Sequence, residues 1–201
     1  LYTINNGIKI KELQSIAIAS RKKIGIPKEA VLIVQVAKFY EQKDQKTVIR
    51  ALSLLPDYFY VFFAGDGPLR SENEELAKYL GLSDRIVFGG LREDVIPILK
   101  AADIVIMSSN FEGLCLSVLE GMAIGKPVVV SDVLGLSQIV EGAGLLFEPH
   151  NEKDLAAKIR LLMEDQLFYK SVSEKCKQRS EKYDVSAMGN RYNQLYQSLC
   201  R

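Results

Sequence analysis

Histidine occurs once in the 201 residues, as His150 in a polar Pro149-His150-Asn151 stretch. It reads as a solvated surface residue, which argues against histidine-based acid–base chemistry within the chain. Cysteine occurs three times, at Cys115, Cys176 and Cys200. The count is odd, the spacing is wide and no Cys-x-x-Cys pair occurs. That pattern argues against a disulfide scaffold or a zinc site and points to a reducing compartment. Net charge is only +1, so no global pull toward nucleic acid or a membrane surface is expected. No apolar run approaches the ~20 residues of a membrane span, and no stretch reads as a signal peptide. There is no Asp-x-Asp pair to hold a divalent metal on a diphosphate, so no metal is expected. No Gly-x-Gly-x-x-Gly follows the first apolar run, which counts against a dehydrogenase. No internal repeat or low-complexity linker is visible.

What remains is a chain with 48% hydrophobic residues, enough for one core and one domain. It begins with leucine rather than methionine, as if cut from a longer protein. Residues 1–8 end in the turn signal Asn5-Asn6-Gly7. The spacing predicts a helix over 11–23, closed by Gly25 and Pro27. Residues 31–36 are almost wholly apolar and β-branched, the signature of a buried parallel strand. A polar, basic loop (38–45) leads to a helix marked by Val48, Leu52 and Leu55. Further strands are predicted at 58–64, 86–88, 103–107, 127–130 and 144–147. Helices are expected at 69–80, at 93–101 despite Pro97, from Leu116, and as one turn at 137–140. Three more close the chain: one on Leu155, Ile159 and Leu162, one over 167–182, one on Met188, Tyr192, Leu195 and Leu199. Strands alternating with helices predict an α/β fold: a Rossmann-like parallel sheet with helices on both faces and ligands at the strand C-termini. The glycine-rich turns all fall there.

The chemistry centres on residues 108–122. An apolar strand feeds the small turn at Glu112-Gly113, and a helix follows with Leu116, Leu119 and Met122 on one side. Its free N-terminal N–H groups and dipole favour an anion. Glu112 and Glu120 flank that point eight positions apart. In one continuous helix they would lie roughly 12 Å apart; with Glu112 in the turn they can face one cleft. Carboxylates beside an anion site suit sugar or ribose hydroxyls, so the ligand would carry both phosphates and hydroxyls, as a nucleotide sugar does. Lys38 and Lys43 could neutralise its pyrophosphate, or stand as solvated lysines beside Glu41 and Asp44. Gly65-Asp66-Gly67-Pro68 reads as a strand-to-helix turn, with a ligand contact also open. Gly89-Gly90 either admits a flat base or is a plain tight turn. Cys115, at a helix start, has either a lowered pKa or a simple small-residue role.

Together these stretches resemble the donor-binding, C-terminal half of retaining GT-B glycosyltransferases of the large family-four, group 1 type. Residues 1–8 resemble the segment Ile-x-Asn-Gly-Ile that opens that domain. Gly65-Asp66-Gly67-Pro68-Leu69 matches the family's second turn, and Arg85-Ile86-Val87-Phe88-Gly89-Gly90 its Arg-Val-x-Phe-x-Gly. Ala102-Asp103 followed by Glu112, Gly113, Glu120, Met122 and Ala123 matches the glutamate–seven residues–glutamate motif in context. Gly125-Lys126-Pro127-Val128-Val129 and Ser131-Asp132 resemble the next strand. The chain departs from the pattern at Lys38 (usually Arg), Ala37 (usually Gly), Leu134 and Gln138.

The resemblance implies that Glu112 binds hydroxyls of the transferred sugar and that Gly113, Leu114, Cys115 and Leu116 approach sugar and phosphate through their backbone. Glu120 would hold the ribose, Lys38 and Lys43 the diphosphate, and Gly89, Gly90 and Leu91 the base, with Gly65 and Asp66 close by. The implied reaction is metal-independent hexosyl transfer from a UDP- or GDP-sugar to a glycan or lipid-linked acceptor, with retention. The acceptor would be bound by an N-terminal domain outside this chain, which would be inactive alone. The implied location is cytoplasmic, with a peripheral position at the inner membrane face open for the full-length protein. Rival expectations are a nucleotide-sugar epimerase of the same architecture, which would need cleft histidines and acids, and a non-catalytic nucleotide-sugar-binding module.

Overall fold

The computed structural model describes residues 2–199; Cys200 lies outside them, as does Leu1 of the opening segment. Six strands build one parallel sheet: β1 (Val31–Val36), β2 (Phe59–Ala64), β3 (Ile86–Phe88), β4 (Ile104–Met107), β5 (Val128–Ser131) and β6 (Leu145–Phe147). Their order is β3-β2-β1-β4-β5-β6. Each adjacent pair is parallel, with Ile33 beside both Val61 and Ile104. The β-branched runs read from the sequence are buried on both faces, as an internal parallel sheet requires.

Nine α-helices are described: α1 (Ile10–Ser15), α2 (Gln45–Ser53), α3 (Arg70–Tyr79), α4 (Val95–Ala101), α5 (Leu116–Ala123), α6 (Leu136–Val140), α7 (Glu152–Glu164), α8 (Gln166–Ser180) and α9 (Val185–Leu199). Right-handed crossovers put α2 and α3 on one face of the sheet and α4 and α5 on the other, because the strand order reverses at β1. Accordingly α2 packs against α3 and α7, while α5 packs against α1, α4 and α8. Pro97 is the third residue of α4 and falls in its first turn, where no intrahelical N–H is needed.

The helix expected over 11–23 is not continuous. The α-helix ends at Ser15, the backbone turns extended at Ile16, and a 3₁₀ turn forms at Arg21–Ile24 before Gly25. Tertiary bonds win here: the Ala19 N–H donates to the Pro97 carbonyl at 3.0 Å, and Lys100 Nζ donates to the Gln14 carbonyl at 2.6 Å. The other elements with stated bounds stand within two residues of them, and the helices marked only by apolar positions run over Gln45–Ser53, Glu152–Glu164 and Val185–Leu199, with Leu55 just past the first.

Candidate functional site

All six strands point one way, so the loops at residues 37–44, 65–69, 89–94, 108–115 and 132–135 share one edge. The chain leaves β1 and β4 toward opposite faces, which makes the centre of that edge the switch-point crevice where such sheets bind ligands. Lys43 comes from the first loop and Glu112 from the fourth. They meet in an ion pair, Nζ to Oε1. Glu112 Oε1 also accepts a hydrogen bond from Ser109 Oγ at 2.7 Å. The side chains are 20% and 10% exposed, so water screens this pair less than a surface pair. Lys43 is therefore not a solvated lysine. Asp44 does not neutralise it either: that carboxylate accepts from Thr47 Oγ1 at 2.6 Å and lies 3.0 Å from His150 Nδ1. His150 is exposed, as expected, but its ring is engaged by Asp44 rather than only hydrated.

Side chains that the sequence reading passed over stitch the two loops together. Gln42 Nε2 donates to the Phe111 carbonyl at 2.7 Å, and the Asn110 N–H donates to the Gln42 carbonyl at the same distance. Ser131 Oγ donates to the Ser109 carbonyl at 2.5 Å, fixing the residue that holds Glu112. Gly135 (φ 94°) packs under the turn; a Cβ there would lie 2.1 Å from the Glu112 carbonyl oxygen. Its only signal in sequence is a lone glycine between two leucines.

Behind Glu112, α5 begins at Leu116 with no side-chain cap, and the partial positive charge of such a helix start favours an anion beside it. Ser117 Oγ donates to the Val36 carbonyl at 3.2 Å and ties this helix start to the end of β1. Leu116 is exposed, Leu114 partly so, and Gly113 has open space where a side chain would stand. Cys115 is buried and burial pushes its thiol up from the ordinary value, against the lowered-pKa alternative. Glu120 is the fifth residue of α5. Its carboxylate makes no hydrogen bond or ion pair with Glu112 or any other described residue, and burial pushes it up from the ordinary 4.5.

A second hollow, about 280 Å³, lies at the ends of β1, β2 and β3. Lys38, Gly65, Leu91 and Arg92 line it. Lys38 is exposed and forms no ion pair among the described residues. The Gly65 N–H donates to the Gly90 carbonyl at 2.8 Å, and a Cβ on Gly65 would stand 2.0 Å from the Ala37 carbonyl oxygen at φ 145°. Only glycine fits that approach. Gly89 is held for packing, since a Cβ would strike the Phe62 ring. Asp66 bonds within its own turn, accepting from the Gly67 N–H at 2.8 Å, and sits near Arg70. Thus Lys43, Glu112 and the start of α5 are brought together, while Lys38, Gly65, Gly90 and Leu91 form an adjoining group. Among the described residues no three His, Cys, Asp or Glu side chains cluster as a metal cage, and no helix is long and apolar enough to cross a membrane.

Comparison with known proteins gives the same outline. The sequence profile described as glycosyl transferases group 1 matches residues 17–183. The chain is 30% identical over 204 aligned residues to the N,N'-diacetylbacillosaminyl-diphospho-undecaprenol alpha-1,3-N-acetylgalactosaminyltransferase of Campylobacter jejuni, covering 97% of this chain and 53% of that protein. It is 32% identical to the lipopolysaccharide core biosynthesis glycosyltransferase LpsD of Rhizobium meliloti, covering 73% of this chain and 43% of the relative. Among solved structures, Anabaena Alr3699/HepE in complex with UDP-glucose superposes with a TM-score of 0.88 at 25% identity, over 97% of this chain and 57% of that one. The chain spans about half the length of the curated relatives it matches.

Proposed function

Since this chain belongs to the glycosyl transferases group 1 family, we propose that it is the nucleotide-sugar-binding part of a GT-B glycosyltransferase that transfers a hexosyl group with retention. The observation that carries this is the Lys43–Glu112 pair, shielded at the central crevice beside the uncapped start of α5. One cation and one carboxylate, next to a helix start, suit a ligand that is diphosphate at one end and hydroxylated at the other.

In this reading Lys43 turns its ammonium to the diphosphate, with Lys38 adding charge from the neighbouring hollow. Glu112, released from Lys43, accepts hydroxyls of the transferred sugar. The backbone of Gly113, Leu114, Cys115 and Leu116 closes on sugar and phosphate. Glu120, already without a partner, takes the ribose hydroxyls. Leu91, with Gly89 and Gly90, receives the base, and Gly65 and Asp66 shape that hollow. The anomeric carbon–oxygen bond to the β-phosphate breaks and its electron pair leaves with the nucleoside diphosphate; an acceptor hydroxyl bonds the anomeric carbon on the face just vacated and gives its proton to the departing phosphate, while the lysines and helix dipole stabilise the developing charge without a metal. The donor is a UDP- or GDP-sugar. UDP-glucose bound to the HepE relative supports the uridine form. The Campylobacter relative is named for a polyprenol-diphosphate-linked sugar, which supports a glycan or lipid-linked acceptor here. That acceptor would be held by the preceding half of such proteins, so this chain binds donor weakly and transfers little alone.

A calorimetric panel of UDP- and GDP-sugars against wild type and Glu120→Ala tests this. Binding of one nucleotide series is expected, weakened about tenfold by the substitution through the lost charged hydrogen bonds. Absence of any nucleotide preference would overturn the reading, and appreciable turnover by this chain would refute its inactivity.

A further inference from the structure

The Lys43 loop rests on two buried polar side chains that none of the site chemistry uses. Gln35 is the one polar residue in β1 and is 1% exposed. Ser108, just past β4, is also 1% exposed. An amide in the middle of a fully internal strand is costly unless its hydrogen bonds are met. Here they are met at one place. Gln35 Nε2 donates to the Lys43 carbonyl at 3.1 Å and to Ser108 Oγ at 3.1 Å. Ser108 Oγ lies 2.8 Å from the Lys43 carbonyl and 2.9 Å from that of Asp44. Those carbonyls sit at the junction of the 3₁₀ turn Glu41–Lys43 and α2, where Asp44 takes the left-handed conformation (φ 43°). The backbone that aims Lys43 is thus bolted to the sheet floor from below.

We propose that Gln35 and Ser108 are positioning residues for donor binding: they act through the Lys43 backbone, setting where its ammonium meets the diphosphate. This rests on the nucleotide-sugar reading. Replacing Gln35 by an apolar residue of similar length keeps the core filled but frees the loop, and only contacts that run through Lys43 should suffer.

The test is a mutant cycle with UDP and uridine as probes, followed by NMR titration, with thermal melts to confirm folding. Gln35→Met combined with Ser108→Ala should weaken UDP about tenfold, the scale of a misplaced charge-assisted hydrogen bond, and leave uridine unchanged. In a Lys43→Ala background the same pair should cost nothing further. Should the Gln35 variant not fold, Ser108→Ala alone carries the test, with the same direction expected. Equal weakening of UDP and uridine, or an undiminished loss in the Lys43→Ala background, means general damage and overturns the proposal; so does no change. If Lys43→Ala leaves UDP binding untouched, the nucleotide-sugar reading itself falls, a result distinct from failure of the Gln35–Ser108 role alone.

Discussion

The two ends of the sheet each hold an ion pair of similar make, and they use it differently. At the N-terminal end Arg21 meets Asp103 at 2.8 Å. Arg21 also donates to the carbonyls of Ala30 at 2.6 Å and Ala101 at 2.8 Å, and Asp103 accepts the Leu32 N–H at 2.7 Å. Lys126 and Tyr169 extend this stitching, donating to the carbonyls of Ala102 and Asp103. Burial drives Lys126 down and Tyr169 up to about 12. At the C-terminal end, Lys43 has three donors and one side-chain partner among the described residues, and Glu120 has none. One end has spent its polar capacity on the chain itself; the other has kept some back. Charge near a sheet edge is therefore no sign of function until its hydrogen bonds are counted.

Substitution at either end should separate the two uses. The largest effect should follow Asp103→Ala, which strands Arg21 and the Leu32 N–H and should cost about 3 kcal/mol in urea unfolding, with UDP affinity retained in the folded protein. Next comes Lys43→Ala, expected to weaken UDP about tenfold, or about 1.4 kcal/mol, with a smaller loss of stability than Asp103→Ala because Glu112 keeps its hydrogen bond from Ser109. If Lys43→Ala instead unfolded the chain, the two ends would be alike and the contrast would be lost.

The smallest effect concerns Glu120. Its carboxyl is raised by burial from an ordinary 4.5. Below that pH both native and unfolded chains carry the neutral acid, and stability does not depend on this group. As pH rises from 4.5 through the raised native value, the unfolded chain releases its proton first, so native stability falls across that window. Glu120→Gln should remove this fall and slightly raise the melting temperature at pH 7, while weakening nucleotide binding. A melting temperature that drops at pH 7 would show that Glu120 is a structural group after all.

Much of this was legible from residue order, and the limits are physical. Strands β1, β2 and β4 announce themselves because internal parallel strands need unbroken apolar runs. Glu112 stood out as a charge in a turn at a strand end, and Lys43 only through the family resemblance. Their contact did not, because it depends on the strand order that sets β4 beside β1. Gln35 was submerged in a run that looked apolar, since a buried amide is recognised by its partners and not by its neighbours in sequence. Ser109, Ser131 and Gly135 carry signals too common to single out. The helix expected over 11–23 failed because long-range carbonyl partners outcompeted a weak local preference.

The most direct measurement is a crystal structure of this chain soaked with UDP-glucose. The β-phosphate is expected within about 3 Å of Lys43 Nζ, hydrogen-bond distance for a charged pair, with Glu112 turned to the sugar and Glu120 to the ribose. Nucleotide bound elsewhere on the molecule, or bound in the crevice with Lys43 still engaged only by Glu112, would contradict that expectation.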